Sequence, residues 1–260
     1  MAKGIFLFIV LILFYNSLKA QGKKIDTDRP DQTESAFTVP ARWIQVETGF
    51  TREKISAKTV SWTLPTILSK YGLSKKWELR LLTEYNAQSF SYTNYRLTDT
   101  FGLLPITVGF KVNLIEEKNL LPRISLIGYT GLNRLSSRKT NAHFGSFFSP
   151  GIRFTFQNSL SENAAIGYNF GLEWEDTQEP PTWFYTFAPG FDLGEKWYGY
   201  IEAFGFLRKN EAPQHSLDAG IAYYISNNLK IDLSAGFGIS KAAPKNYVAV
   251  GFSFRCTTKK

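Results

Sequence analysis

This sequence is short of residues on which several common protein classes depend. It has one cysteine, Cys256, which excludes an intramolecular disulfide and a cysteine-based metal site. Only two histidines, His143 and His215, are available for acid–base chemistry. After Ala20 no apolar run approaches the roughly 18 residues of a membrane-spanning helix. Helical membrane spans are therefore excluded beyond that point.

A concentrated patch of positive charge is also missing, although the chain is basic. The formal net charge is +8 at pH 7, from 30 Lys and Arg against 22 Asp and Glu. Nucleic-acid binding needs clustered basic residues, whereas these are scattered over polar connections and the Lys259–Lys260 tail. The composition argues against a nucleic-acid partner and leaves room for loose attraction to anionic solutes or lipopolysaccharide.

The first twenty residues have the pattern of an export signal. Lys3 supplies a positive start, Ile5–Tyr15 an apolar stretch, and the following SLKA ends on the small residue Ala20. The apolar stretch is too short to cross a bilayer as a helix. We therefore expect residues 1–20 to be a cleaved signal peptide that directs the chain to the outer membrane of a Gram-negative bacterium.

The sequence is rich in a repeated pattern of strand, tight turn and strand. Short polar turns start at Tyr71, Leu114, Asn158, Phe191 and Ile225, which lie 43, 44, 33 and 34 residues apart. Longer polar connections lie between them. Short turns on one edge and long loops on the other are typical of outer-membrane barrels. The predicted fold is all-β, an up-and-down antiparallel transmembrane β-barrel.

Twelve strands can be drawn within residues 43–256, and an even number places both barrel ends on the same side of the membrane. Most reach the 9 to 11 or so residues that a tilted strand needs to cross the hydrocarbon layer. The predicted strands are Trp43–Thr51, Val60–Lys70, Trp77–Ser89, Phe101–Ile115, Arg123–Leu135, Phe144–Gln157, Ala164–Trp174, Trp183–Leu193, Trp197–Leu207, Leu217–Ile225, Lys230–Ile239 and Tyr247–Cys256.

Alternation with a period of two divides each strand into an apolar and a polar face. A soluble β-sandwich alternates as well, so alternation alone leaves that alternative open. On the lipid face, an Arg or Lys at the midplane would cost about 2–4 kcal/mol, so the polar face should line a lumen. The residues predicted to face it are Glu47, Glu78, Arg80, Glu84, Lys111, Arg123, Arg153, Glu173, Glu202 and Asp218, together with Lys230, Asp232 and Arg255.

All six tryptophans fall near predicted strand ends, three at each rim. An indole prefers the headgroup level, where its ring is in the apolar layer and its N–H meets water. A soluble core would place tryptophan in mid-strand more often. The pattern predicts two aromatic girdles, formed by Trp43, Trp77 and Trp197 at one rim and by Trp62, Trp174 and Trp183 at the other.

The last predicted strand, YVAVGFSFRC, resembles the signal that outer-membrane assembly machinery recognises. Its relevant residues are Gly251, Phe252, Phe254 and Cys256. Cys256 stands where a terminal Phe is usual, so Phe254 becomes the main aromatic residue. The expected partners are therefore the assembly machinery, outer-membrane lipid and lipopolysaccharide.

A polar, proline-punctuated segment, residues 21–42, precedes the first strand. A motif begins in it and runs into the strand, carried by Asp28, Arg29, Pro30, Asp31, Thr33, Ser35, Pro40, Gln45, Glu47, Gly49 and Phe50. With the turn at Tyr71–Leu79 and the segment Trp197–Gly205, this motif resembles the bacterial family named for a MetA pathway of phenol degradation, whose members are usually labelled transporters. The resemblance implies an outer-membrane barrel with a transport function. Ala41–Arg42 departs from it, because a glycine is common there.

The N-terminal segment has two interpretations. Its charged residues, Asp28, Arg29, Asp31 and Glu34, could enter the lumen as a plug and pair with wall charges such as Arg80, Arg123 and Arg153. Alternatively, the segment is a periplasmic lead-in, with Asp28 and Arg29 stabilising a turn at the rim. The sequence leaves both open.

The sequence does not predict an enzyme, a cofactor or a metal site. A hydrolase of this size would need a serine activated by a histidine. His215 and Ser216 are adjacent on a predicted strand edge and so point to opposite faces, and no G-x-S-x-G motif occurs.

The expected function is a passive channel or transporter for small solutes. Aromatic residues beside Glu202, namely Tyr198, Tyr200, Phe204 and Phe206, suggest aromatic or amphipathic solutes. The alternative is a closed structural or adhesive barrel that binds a partner through its long loops.

Overall fold

The computed structural model describes residues 24–92, 95–137, 146–175, 177 and 179–258. The predicted signal peptide, His143 and Lys259–Lys260 lie outside these residues. In the described part there is no helix with the length and apolarity needed to cross a membrane. The strands are β1 (Trp43–Lys54), β2 (Thr59–Gly72), β3 (Trp77–Tyr92), β4 (Tyr95–Leu103), β5 (Ile106–Ile115), β6 (Arg123–Leu132), β7 (Phe148–Ser161), β8 (Ala164–Glu173), β9 (Thr182–Asp192), β10 (Trp197–Leu207), β11 (Gln214–Ser226), β12 (Leu229–Gly238) and β13 (Asn246–Thr257).

The strands form one closed antiparallel barrel. Apart from β4 and β5, strands that follow each other in the chain pair with each other, and β1 closes the ring by pairing with β13 from Trp43↔Thr257 to Lys54↔Asn246. β4 and β5 both pair with β3 and together complete one wall strand. The barrel wall therefore consists of twelve strands, with β4 and β5 counted as one, and the predicted fold class is confirmed.

The predicted strand Phe101–Ile115 is wrong as a continuous element, because the wall is interrupted between β4 and β5 at Leu104 and Pro105. Proline has no N–H to donate to a ladder, and within sheets it favours edges, strand starts and bulges. Leu104 donates its N–H to the carbonyl of Glu84 (2.8 Å), which holds the chain against β3 across the interruption. β4 then extends β3 as a hairpin beyond this point.

The two ends of the barrel differ as the sequence predicts. The connections that follow β2, β5, β7, β9 and β11 lie at one end, here called the turn end. The last residues of β6, β8, β10 and β12 lie at the other end, here called the loop end. Both barrel termini lie at the turn end, where Thr258 donates its N–H to the carbonyl of Arg42 (2.8 Å). Arg42 has a φ of 66°, a left-handed conformation that favours glycine, which explains the glycine common at this place in the family pattern.

The wall alternates between an inner polar and an outer apolar face. On β12, Lys230 and Asp232 are 3% and 4% exposed, whereas Ile231 and Leu233 are 46% and 49% exposed. The outer face is the one that meets lipid in an outer-membrane barrel. The polar residues are buried because they point into the barrel.

A bulge in β2 reverses this alternation partway along the strand. The pairings of β2 with β1 and β3 both shift between Thr63 and Thr66, on either side of Pro65. An extra residue in one strand exchanges its faces beyond the bulge. As a result Trp62 lies on the outer face, whereas Lys70, eight residues later, is buried inside (3% exposed).

Five of the six tryptophans lie at or near strand ends on the outer face, where the predicted girdles require them. Trp77, Trp183 and Trp197 are 47%, 54% and 46% exposed at strand ends, and Trp62 and Trp174 lie at the loop end. Trp43 differs, because it shares the inner face of β1 with Gln45 and Glu47. The guanidinium of Arg255 lies over its ring, 5.2 Å from the centroid. Trp43 therefore packs at the inner rim and not toward lipid.

The C-terminal strand closes the barrel with its predicted faces. On β13, Phe252 is exposed on the outer face and stacks with Phe254 at 6.3 Å between ring centroids. Cys256 shares that face and is a free thiol. Gly251 lies on the inner face, directly opposite Gly49 of β1.

Candidate functional site: the barrel lumen

The N-terminal segment, residues 24–42 in the described structure, lies inside the barrel. Its apolar residues Ile25, Ala36 and Val39 are 1%, 0% and 4% exposed. Its backbone bonds to walls on opposite sides: Ser125 of β6 donates to the carbonyl of Ala36 (2.6 Å), and Lys230 of β12 donates to that of Arg29 (2.7 Å). The segment therefore crosses the lumen between β6 and β12.

Asp28 is the centre of its ionic contacts. Lys70 of β2, Arg80 of β3 and Lys111 of β5 approach its carboxylate to 2.8, 3.0 and 3.1 Å. These three cations are here called the basic clamp. Burial alone would raise the pKa of Asp28, but Lys111, Lys70 and Arg80 outweigh it and hold the pKa well below its usual range. Asp28 is therefore a carboxylate that three strands hold at once.

Acidic wall residues hold the backbone of the segment next to the clamp. Glu47 of β1 accepts the N–H groups of Asp28 (3.0 Å) and Arg29 (3.1 Å) through one oxygen and pairs with Lys70 through the other. Glu78 of β3 accepts the N–H of Val39 (2.7 Å). Both glutamates are fully buried. Hydrogen bonds of this charge-assisted kind fix a backbone more firmly than neutral ones.

Glu34 extends the contacts toward β7 and β8. Its carboxylate pairs with Arg80 (2.6 Å) and, more loosely, with Arg153 (3.8 Å). Its backbone N–H and carbonyl both bond to the side-chain amide of Asn169, at 2.7 and 3.0 Å. Arg153 donates to the carbonyl of Gln32 (2.9 Å). The segment is thus fixed at both its acidic side chains and its peptide groups.

Arg29 occupies a gap that two glycines leave in the wall. Its guanidinium pairs with Asp232 (3.1 Å). A Cβ at Gly49 would lie 2.3 Å from its Cζ, and a Cβ at Gly251 would lie 2.5 Å from its Nε. Only glycine at these two positions leaves room for the side chain in this place.

The opposite wall holds the segment with acidic and neutral groups. Glu202 of β10 accepts the N–H of Gln32 (2.8 Å) and the hydroxyl of Thr33 (2.6 Å). Asp218 of β11 accepts the phenol hydroxyl of Tyr247. Burial raises the pKa of Asp31 well above its usual range, with Lys230 acting in the opposite direction. Asp31, Glu202 and Asp218 are here called the acidic cluster.

Other predicted lumen residues lie apart from the segment's charged side chains. Arg123 pairs with Glu116 and stacks over Phe37 (4.2 Å to the ring centroid) instead of meeting an acid of the segment. Glu84 accepts the hydroxyl of Thr66 (3.1 Å). Glu173 accepts the hydroxyl of Tyr129 (3.3 Å).

Lys70 is the contact that sequence reasoning missed. If alternation ran unbroken from Trp62, Lys70 would be on the outer face. Pro65 is the signal that could have corrected this, because a proline inside a strand marks a bulge or an edge. Thr33 belongs to the N-terminal motif and parity places Asn169 on the polar face, but no sequence signal shows that these residues or Ser125 contact the segment or the wall across the lumen.

Two cavities flank the segment. The loop-end cavity, of about 370 Å³, is lined by Glu53, Glu84, Phe204, Phe206 and Tyr247 among others. The turn-end cavity, of about 130 Å³, is lined by small residues of β8 and β9 and by Asp26, Glu34, Tyr198 and Lys230. Arg29 and Asp31 border both cavities. These two residues therefore separate the open space above the segment from that below it.

His215 and Ser216 lie on opposite faces of β11, as alternation predicts, and His143 lies outside the described residues. The ring of His215 hydrogen-bonds the hydroxyl of Tyr185 at 2.9 Å. Ser216 points to the other face of β11, where it lines the loop-end cavity. Within the described ranges, no three His, Cys, Asp or Glu side chains are grouped so that they could hold a metal ion.

These features define an outer-membrane β-barrel of twelve wall strands with an N-terminal segment in its lumen. The chain belongs to the family described as "Putative MetA-pathway of phenol degradation", whose sequence pattern matches residues 27–256. The resemblance inferred from the N-terminal motif is confirmed. No curated protein matches the chain by sequence.

Two solved structures with a similar fold are described as an outer-membrane channel and a porin. An outer membrane channel from Pseudomonas putida F1 superposes with a TM-score of 0.67 at 10% identity, covering 90% of this chain and 100% of that one. The KdgM porin gives a TM-score of 0.50 at 8% identity, covering 81% and 98%. At these identities the likeness concerns the fold.

Proposed function

We propose that the protein is a passive outer-membrane channel for small solutes, with the N-terminal segment as its constriction. The observation that carries this proposal is the position of Arg29 and Asp31 between the two cavities. A solute crossing the barrel has to pass them or displace them. The segment is bonded to the wall through both its charged side chains and its peptide groups and is not a strand of the barrel, so it narrows the lumen without forming the wall.

The loop-end cavity supports a preference for small aromatic or amphipathic solutes. Phe204, Phe206 and Tyr247 give it aromatic surface, and Glu53 and Glu84 give it polar groups. A few polar groups among aromatic side chains are typical of small-molecule sites. The description of the family, which refers to phenol degradation, agrees with this class of solute.

Export and assembly belong to the same proposal. Residues 1–20 serve as the cleaved signal peptide, and the bacterium has a Gram-negative envelope. Gly251, Phe252, Phe254 and Cys256 of β13 serve as the assembly signal, with Phe252 and Phe254 displayed on the outer face. The outer apolar face meets outer-membrane lipid and lipopolysaccharide.

The test compares the intact protein with a variant that lacks residues 25–35, in planar bilayers. The deletion removes Asp28, Arg29, Asp31 and Glu34 but no residue of a wall strand, so the barrel should fold and show heat-modifiable migration. Its single-channel conductance should exceed that of the intact protein.

A second variant controls for chain length. It keeps residues 25–35 as alternating Gly and Ser, which removes the side-chain contacts but not the chain, and its conductance should fluctuate between low and high levels. Equal conductance of the intact and deleted proteins would place the segment outside the permeation path. Absence of current from every form would favour the closed structural or adhesive barrel.

A further inference from the structure

The acidic cluster has polar atoms without partners in a buried place. Asp218 and Tyr200 are 6% and 3% exposed, and the two groups lie close to each other, yet Asp218 Oδ1 and Tyr200 Oη make no hydrogen bond of ordinary geometry with any described residue. Asp232 is 4% exposed, and its Oδ2 is likewise unpaired there. Buried polar groups in native proteins are nearly always satisfied, so an unpaired set indicates water or an ion.

The charges around these atoms are also unbalanced. None of the carboxylates of Asp31, Glu202 and Asp218 has a Lys or Arg within ion-pair distance in the described structure, whereas Asp28 has three. Two cations lie nearby. Arg29 is already paired with Asp232, and Lys230 donates to the carbonyl of Arg29 while attracting Asp31 from a greater distance.

One member of the cluster, Asp31, lies where the two cavities approach each other. Asp31 borders both of them and interacts electrostatically with Tyr200 and Glu202. On the loop side the next carboxylates are Glu53 and Glu84, and on the turn side they are Asp26 and Glu34. A line of carboxylates therefore runs from the loop-end cavity past Asp31 to the turn-end cavity.

We propose that Asp31, Glu202 and Asp218 form a site for small monovalent cations, inorganic or ammonium, and that Asp31 makes the channel cation-selective. The inference rests on the proposed channel function and adds the class of ion that passes. Burial and neighbouring carboxylates raise the pKa of Asp31, so its carboxylate needs a positive partner to stay charged. A cation at this place supplies that partner, and the charged carboxylates repel an anion. Because no three acidic groups converge as direct metal ligands in the described structure, the cation keeps part of its hydration shell.

The expected selectivity contrasts with the overall charge of the chain. Its formal net charge is +8, which alone would favour anions. The charge that decides selectivity is the one that lines the constriction, because field lines are focused there. Cation preference in a basic protein would therefore identify the local cluster as its cause.

The experiment measures reversal potentials in planar bilayers across a KCl gradient. The intact protein should favour K⁺ over Cl⁻ by a permeability ratio on the order of tenfold, and Asp31→Asn should move the ratio toward unity. Asn has nearly the shape of Asp, and Asp31 makes no ion pair that holds the segment. The matched control is Glu162→Gln, which removes a carboxylate from the exposed turn between β7 and β8 and should leave the ratio unchanged.

Other outcomes separate this inference from the proposed function. A current without cation preference, or a preference that Asp31→Asn leaves intact, would overturn the cation site and leave the channel standing. No current from either the intact or the deleted protein would overturn both. If Asp31→Asn fails to assemble, Asp218→Asn provides the same test from the barrel wall, and an unchanged ratio in it would also count against the site.

Discussion

The two sides of the lumen hold the N-terminal segment by different means. On the side of β2, β3 and β5, the three cations of the basic clamp converge on Asp28 at 2.8 to 3.1 Å. On the side of β10 and β11, Glu202 and Asp218 offer only acceptors, and neighbouring polar atoms have no partner among the described residues. On the basic side the buried carboxylate is ion-paired, whereas on the acidic side the buried carboxylates have no paired Lys or Arg among the described residues.

This difference suggests that the basic side attaches the N-terminal segment and that the acidic side serves the passage of solutes. A buried ion pair is costly to break, because the charge left behind has neither water nor a partner. The basic clamp therefore suits a fixed contact. Unsatisfied buried acceptors instead require water or a cation, so the acidic side suits a wet path. The basic clamp therefore supplies the ionic part of the segment's attachment, and the proposed path for solutes runs along the acidic side.

Removing the carboxylate of Asp28, at the centre of the basic clamp, should lower the free energy of unfolding more than the other substitutions discussed below. Asp28→Ala leaves Lys70, Arg80 and Lys111 with one buried anion fewer, and the loss should be about 3–5 kcal/mol of unfolding free energy. Urea unfolding followed by tryptophan fluorescence measures it. Asp26→Ala is the matched control, since Asp26 lies two residues away and borders the turn-end cavity instead of the clamp. A similar loss in both variants would show that the clamp has no special role.

A smaller effect is expected where the segment meets the glycine gap. In Gly49→Ala the new Cβ would lie 2.3 Å from Cζ of Arg29, so the guanidinium has to move away from Asp232. Overpacking of this kind costs about 1–3 kcal/mol. Gly131→Ala is the control, because the nearest atom there is at an ordinary 3.4 Å.

A double-mutant cycle would show whether Arg29 is the cause. In an Arg29→Ala background the space at Gly49 is empty, so Gly49→Ala should then cost much less than in the intact protein. Additive losses would mean that the alanine disturbs the strand itself and not the seating of Arg29.

The architecture was predictable because its signals are local. Alternation with a period of two, short turns at regular spacing and tryptophans at strand ends are all read within a few residues, and the barrel follows from them. The two errors in strand geometry occur where a proline interrupts a strand. Pro65 reversed the face of Lys70, and Pro105 divided the wall strand that alternation had drawn as one.

The lumen was only partly predictable, because its contacts join distant parts of the chain. Parity placed Arg80 and Lys111 on the inner face, but their meeting at Asp28 depends on how the N-terminal segment crosses the barrel. Glu202 lies 170 residues from the N–H of Gln32 that it accepts. No local pattern encodes such a pairing, which is why the sequence left the segment open between a plug and a periplasmic lead-in.

The smallest effect should come from an ion pair that lacks the burial of the clamp. Arg208 and Glu175 approach to 2.6 Å at the loop end, but their side chains are 38% and 71% exposed. Water already solvates both charges, so Arg208→Gln should change the unfolding free energy by less than about 1 kcal/mol, and 1 M salt should abolish even that difference. Asp28→Ala measured in the same salt should keep most of its effect, because buried charges are screened much less. If the two variants lost stability equally, or responded equally to salt, distance alone and not burial would set the strength of the contacts in this barrel.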